Sequence, residues 1–140
     1  MGLLEIGYGI CIGLKEPATW QACGKNGCFN LTTMDDFYRV LILLERPYFE
    51  VEPLLSGYAE KIHAEIYFPL WKVVGAGLTC QSDQWARLAL NWFPCLEQVE
   101  KTRLLALLDK VAHSKWASQK SRQLADRYAK QLTIAVHRAA

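Results

Sequence analysis

Thr19-Trp20-Gln21-Ala22-Cys23-Gly24-Lys25-Asn26-Gly27-Cys28-Phe29-Asn30-Leu31 is the stretch on which the fold turns. Asn26-Gly27 tolerates positive φ at both residues and marks a tight turn. The flanking segments, Thr19 to Ala22 and Cys28 to Leu31, then read as a short β-hairpin. Six of the nine glycines fall within residues 1–32, where no helical apolar period is visible. Glu5 to Leu14 reads as a strand, weakened by its glycines.

Beyond residue 32 the pattern becomes helical. Thr33 can cap a helix, and Asp36 three positions on completes a capping box. Met34, Phe37, Val40, Leu41 and Leu44 fall on one helical face, and Pro47 stops the run. A second helix is expected from Pro53, a residue suited to a first helical position, with Leu54, Leu55, Tyr58, Ala59, Ile62 and Ile66 inward. Pro69 kinks or ends it, and Gly75-Ala76-Gly77 closes the segment. Ser82-Asp83 opens a third helix with Trp85, Leu88, Ala89 and Trp92 inward. A fourth is expected over about Leu96 to His113, carrying Leu104, Leu105, Leu107, Leu108, Val111 and Ala112. The last runs from about Trp116 to His137, with Leu124, Tyr128, Leu132, Ala135 and Val136 on one arc. The expected fold is therefore mainly α. It is one domain over 1–140, with a glycine-rich segment 1–32 that holds the hairpin. Residues 33–140 form an antiparallel helical bundle or HEAT-like helical hairpins.

Composition narrows the function classes. Hydrophobic residues make up 51% of the chain and charged residues 21%, an ordinary globular balance that excludes a disordered chain. No apolar stretch approaches the roughly 20 residues that span a bilayer. Glu5 and the lack of any Lys or Arg before Lys15 depart from a secretory signal. Ile6 stands where myristoylation requires Ser or Thr. A cytoplasmic protein is expected. Its five cysteines, Cys11, Cys23, Cys28, Cys80 and Cys95, then read as free thiols.

Complete catalytic motifs are missing. His63-Ala64-Glu65 with Pro94-Cys95 resembles part of the zinc deaminase signature, but Gln98 occupies the position of the second cysteine. Cys23 and Cys28 could be half a zinc site or could oxidise across the hairpin. No second pair completes the site, and a plain turn is the expectation. His63, His113 and His137 have no nucleophile in a recognisable local setting, and no phosphate-binding or dinucleotide glycine pattern appears. No enzyme activity, cofactor or metal is expected.

Charge is more informative. The net +2 hides an asymmetry: from Lys101 onward nine Lys or Arg accompany Asp109 and Asp126, a net +7, while residues 1–100 carry seven basic and twelve acidic side chains, a net −5. Glu45-Arg46-Pro47-Tyr48-Phe49-Glu50-Val51-Glu52-Pro53 interleaves acids and aromatics, and Glu60 and Glu65 follow on the polar side of the next helix. Tyrosines anchor interfaces and carboxylates oppose a basic partner, so Glu45, Tyr48, Glu50, Glu52, Glu60 and Glu65 form the candidate partner-binding set. Packing Phe49 inward would instead leave an ordinary helix connection there. The alternative is a basic face, Lys120, Arg122, Arg127 and Lys130 on the last helix, suited to nucleic-acid phosphates or an acidic partner.

In general character across the whole chain, the protein resembles the small cytosolic immunity proteins of bacterial toxin systems, including contact-dependent inhibition. The shared features are its size, the missing catalytic kit, aromatic-rich helices and patchy charge. That resemblance implies stoichiometric binding of one cognate toxin domain, in many such systems a nuclease with a basic cleft. The acidic region from Glu45 to Glu65 would then stand in for nucleic-acid phosphates. The alternative is a helical nucleic-acid-binding or regulatory adaptor that uses the basic last helix.

Overall fold

In a computed structural model, residues 2–15 and 18–139 are described, with the side chains of Val136 and Ala139 outside that description. Four strands open the chain: β1 (Leu4–Gly7), β2 (Ile10–Lys15), β3 (Thr19–Gly24) and β4 (Gly27–Asn30). They form an antiparallel sheet in sequence order. A 3₁₀ segment, Met34–Glu45, leads into α1 (Tyr48–Lys61), α2 (Leu70–Thr79) and α3 (Asp83–Trp92). Then come α4 (Gln98–Arg103), α5 (Leu105–Ala112) and α6 (Gln119–Ala139). The expectation of a mainly α bundle with at most one hairpin is thereby corrected to a mixed architecture, helices packed with a four-stranded meander.

The hairpin at Asn26-Gly27 is present, but Glu5 to Leu14 is two strands rather than one. Tyr8 (φ 53°) and Gly9 (φ 75°) both adopt positive φ and reverse the chain between β1 and β2. Period-two alternation then sorts the side chains. Ile12 faces Leu4 and Ala22, and Leu14 faces Trp20, so apolar groups line the inner face. On the outer face Glu5 pairs with Cys11, Cys11 with Cys23, and Cys23 with Cys28, a row across all four strands. Cys23 and Cys28 are joined by a disulfide with Cα atoms 4.0 Å apart, which corrects the expectation of a plain turn with free thiols. Cys11, Cys80 and Cys95 remain free.

Ile6, Ile12, Trp20 and Ala22 from the sheet share one buried cluster with Phe37, Val51, Leu90, Leu108 and Leu132 from the helical part. The 3₁₀ segment begins as expected at Thr33, where the Asp36 carboxylate accepts the backbone N–H groups of Thr32 (3.0 Å) and Thr33 (2.9 Å). The expected inward residues Phe37, Val40, Leu41 and Leu44 are buried, and Leu43 joins them. Phe37, Val40 and Leu43 are each 0% exposed and three residues apart, which is one 3₁₀ turn. The backbone departs from helical angles at Val40 (φ −121°, ψ 20°).

Three helix boundaries are also corrected. α1 starts at Tyr48 with Pro47 as its cap, and Pro53 lies inside it, where it forgoes only the bond to the Phe49 carbonyl. Gly75 and Gly77 lie within α2 instead of ending it, because α2 packs against both the 3₁₀ segment and α3 and the missing side chains allow that approach. The expected fourth helix breaks at buried Leu104 into α4 and α5. Ser82 caps α3 as expected, accepting the Trp85 N–H at 3.4 Å. α5 packs on α6, and the Asp83 carboxylate at the start of α3 accepts the Ser118 N–H at 2.9 Å just before α6. On α6, Ala125, Ala129 and Leu132 are buried and Leu124, Tyr128 and Ala135 partly so, whereas Val136 lies outside the described residues.

Candidate functional site

The start of α1 is fixed from behind. Trp92, at the end of α3, is 3% exposed and donates its indole N–H to the Arg46 carbonyl at 2.9 Å. The Tyr48 ring meets the Trp92 ring edge-on, with centroids 5.3 Å apart. Tyr48 is thus anchored on one side and open on the other, where a groove of about 170 Å³ lies between α1, the connection before α2, and α4. Glu52, Tyr67, Glu97 and Glu100 join Tyr48 in lining it.

Glu97 and Glu100 are held by a reciprocal capping box: the Glu97 side chain takes the Glu100 backbone N–H, and the Glu100 carboxylate accepts that of Glu97 at 3.1 Å. Negative charge is favoured at a helix start, which offsets the repulsion between neighbouring acids. The electrostatic result shows at Tyr48, whose hydroxyl is pushed up to about 12, first by burial and then by the negative charges of Glu100 and Glu52. Tyr67, 60% exposed, donates its hydroxyl to Glu60 Oε1 at 3.1 Å, which raises its own pKa. Phe49 is 75% exposed and does not tuck inward.

Of the acidic candidates, Tyr48 and Glu52 meet in this groove, and Glu60 reaches Tyr67, one of its lining residues. Glu45 and Glu65 are exposed and lie outside the lining, and Glu50 sits 3.9 Å from Arg46 in an exposed pair. Tyr67, Glu97 and Glu100 were not among the sequence candidates. Glu97-Gln98-Val99-Glu100 carries acids at the spacing of a capping box, a signal hidden by starting the helix at Leu96. On the alternative basic face, Lys120 and Arg127 are exposed and Arg122 is half-buried. Lys130 is 2.8 Å from Asp126, a pairing that raises its pKa.

His63 lies at a helix end. It takes a left-handed conformation (φ 57°) after α1, while the Ala64 N–H returns to the Ala59 carbonyl at 2.9 Å, as in a Schellman cap. Among the described residues no group of three or more His, Cys, Asp and Glu side chains gathers as a metal site, and no helix is long and apolar enough to cross a membrane. No protein-family model, curated protein or solved structure matches the chain.

Proposed function

We propose that this protein is a stoichiometric protein-binding inhibitor of the immunity-protein kind, and that the acidic groove between α1 and α4 meets a basic cleft on a cognate toxin domain. One observation carries this reading: Glu52, Glu97 and Glu100 converge on the anchored ring of Tyr48. Carboxylates spaced along a groove offer a nuclease cleft the charge it reserves for phosphates, while half-buried tyrosines supply contact area at low entropic cost. Exposed Phe49 and Tyr67 extend the aromatic surface. The nucleic-acid alternative has less support, since Lys130 is occupied by Asp126 and Arg122 is half-buried.

The test is a tagged pull-down from the source cell, washed with nuclease and salt and sized by native mass spectrometry. One stoichiometric protein partner is expected. Because Glu52 and Glu97 both line the groove, whereas Glu50 pairs with Arg46 outside it, the variant is Glu52→Lys with Glu97→Lys. It should weaken binding well over tenfold, about 1.4 kcal/mol per decade. Unchanged affinity would remove this face, and recovery of nucleic acid alone would favour the basic helix.

A further inference from the structure

A second cavity, separate from the acidic groove, opens at the end of the sheet. Its volume is about 520 Å³, and it lies between the Tyr8-Gly9 turn, the Gly24–Gly27 turn and the 3₁₀ segment at Tyr38 and Arg39. Small-molecule sites fall in the range of about 300–1,000 Å³ and are mostly apolar with a few placed polar groups. Three aromatic side chains surround this one: Tyr8 (85% exposed), Tyr38 (56%) and Phe29 (38%). Tyr8 is the most exposed of the three, and an exposed ring beside a concavity is surface on which an apolar ligand can settle.

The charge there has one sign. Among the described residues lining the cavity, the charged ones are Lys25 and Arg39. The Arg39 guanidinium carbon lies 3.7 Å from the Phe29 ring centroid and 5.0 Å from that of Tyr38. Among the described residues no carboxylate lies within 4.0 Å of Arg39. A guanidinium at stacking distance over a ring keeps its in-plane N–H groups available as a fork that matches a carboxylate.

The turn supplies an independent sign. Tyr8 holds φ 53° at the first central position of a two-residue hairpin turn, where Asn, Asp or Gly is preferred. A bulky L-residue there costs roughly 1–2 kcal/mol. The chain thus carries a ring at a position where Asn would be less strained, and that ring lines the cavity.

We propose that this cavity binds a small planar aromatic carboxylate, its ring among Tyr8, Phe29 and Tyr38 and its carboxylate on the Arg39 fork with Lys25 nearby. The test uses isothermal titration of the full chain with 2-naphthoate and with neutral 2-naphthamide. A charge-assisted pair predicts that naphthoate binds at least about tenfold tighter than the amide. Arg39→Gln should abolish that preference while amide binding persists, which also reports that the variant is folded. Arg39→Lys, keeping charge without the fork, should fall between. Tyr8→Asn should weaken both probes while leaving the thermal midpoint unchanged or higher, the opposite of a merely structural role. Equal affinity of the two probes, a preference that survives Arg39→Gln, or no binding of either would overturn the proposal.

Discussion

Gly77→Ala tests the packing of α2 directly. An ideal Cβ at Gly77 would stand 2.9 Å from Ala89 Cβ, 2.9 Å from Leu44 Cδ1 and 3.2 Å from the Trp85 carbonyl oxygen. Ordinary contact begins at 3.4 Å, so α3 and the 3₁₀ segment must give way by about 0.5 Å. A gap of that size forfeits about a quarter of the attraction between facing atoms, and overpacking a filled core costs about 1–3 kcal/mol. One neighbour is backbone and cannot rotate aside, which places the cost in the upper part of that range. Alanine returns about 1 kcal/mol of helix propensity. The expected net loss is about 1–2 kcal/mol, or a Tm lower by roughly 3–8 °C. Gly75→Ala, two residues earlier, is the control. Its Cβ would fall on the Met34 thioether, whose half-buried, unbranched chain can swing away. That variant should lie between wild type and about 1 kcal/mol more stable. Urea unfolding followed by tryptophan fluorescence measures both. Gly77→Ala as stable as wild type, or more stable than Gly75→Ala, would refute the reasoning.

Replacing Glu52, Glu97 and Glu100 together with Gln should lower the Tyr48 pKa from about 12 while leaving it above 10, because burial is the larger cause. Absorbance titration at alkaline pH against a Tyr48→Phe reference reads the shift, and no fall would dissolve the acidic cluster. Since Tyr48 ionises less readily folded than unfolded, its contribution to stability is complete below pH 10 and is lost as pH rises through about 12. Asp36 and Asp83 are shifted the other way, chiefly by backbone N–H groups of Thr33 and Ser118. Their stabilisation is present above the ordinary value of 3.8 and is lost as pH falls below it. The double Asn variant should flatten acid unfolding, and an unchanged profile would contradict those bonds. Cys28→Ser opens a loop of sequence separation 5 and should cost about 2 kcal/mol on loop entropy, read by urea midpoint. A loss of all structure would show the sheet to depend on the bridge far more than loop length implies.

Sequence patterning located most helices because the apolar stripes of α3, α5 and α6 repeat at helical spacing over whole turns. It underread the sheet for a physical reason. β1 and β2 are only four and six residues long, carry Gly7 and Gly13, and turn at Tyr8-Gly9, where a tyrosine side chain disfavours positive φ. The candidate groove was legible in part. Tyr48 and Glu52 lie in one acidic run, but Glu97 and Glu100 reach them only through the packing of Trp92 behind α1. Spatial convergence of residues some fifty positions apart leaves no local trace. Tyr38 and Arg39 likewise meet Phe29 and Tyr8 only once the sheet has formed.

The triplet spacing of Phe37, Val40 and Leu43 gives this segment something like a reading frame. On either side of the kink at Val40 each residue advances about 2.0 Å and a third of a turn, so a one-residue deletion there would carry the later side chains of that half onto a different row. Removing three would keep the phase and shorten the span by only about 6 Å. A length change in this segment would therefore move Arg39, beside one cavity, relative to Arg46, whose carbonyl holds Trp92 behind the groove.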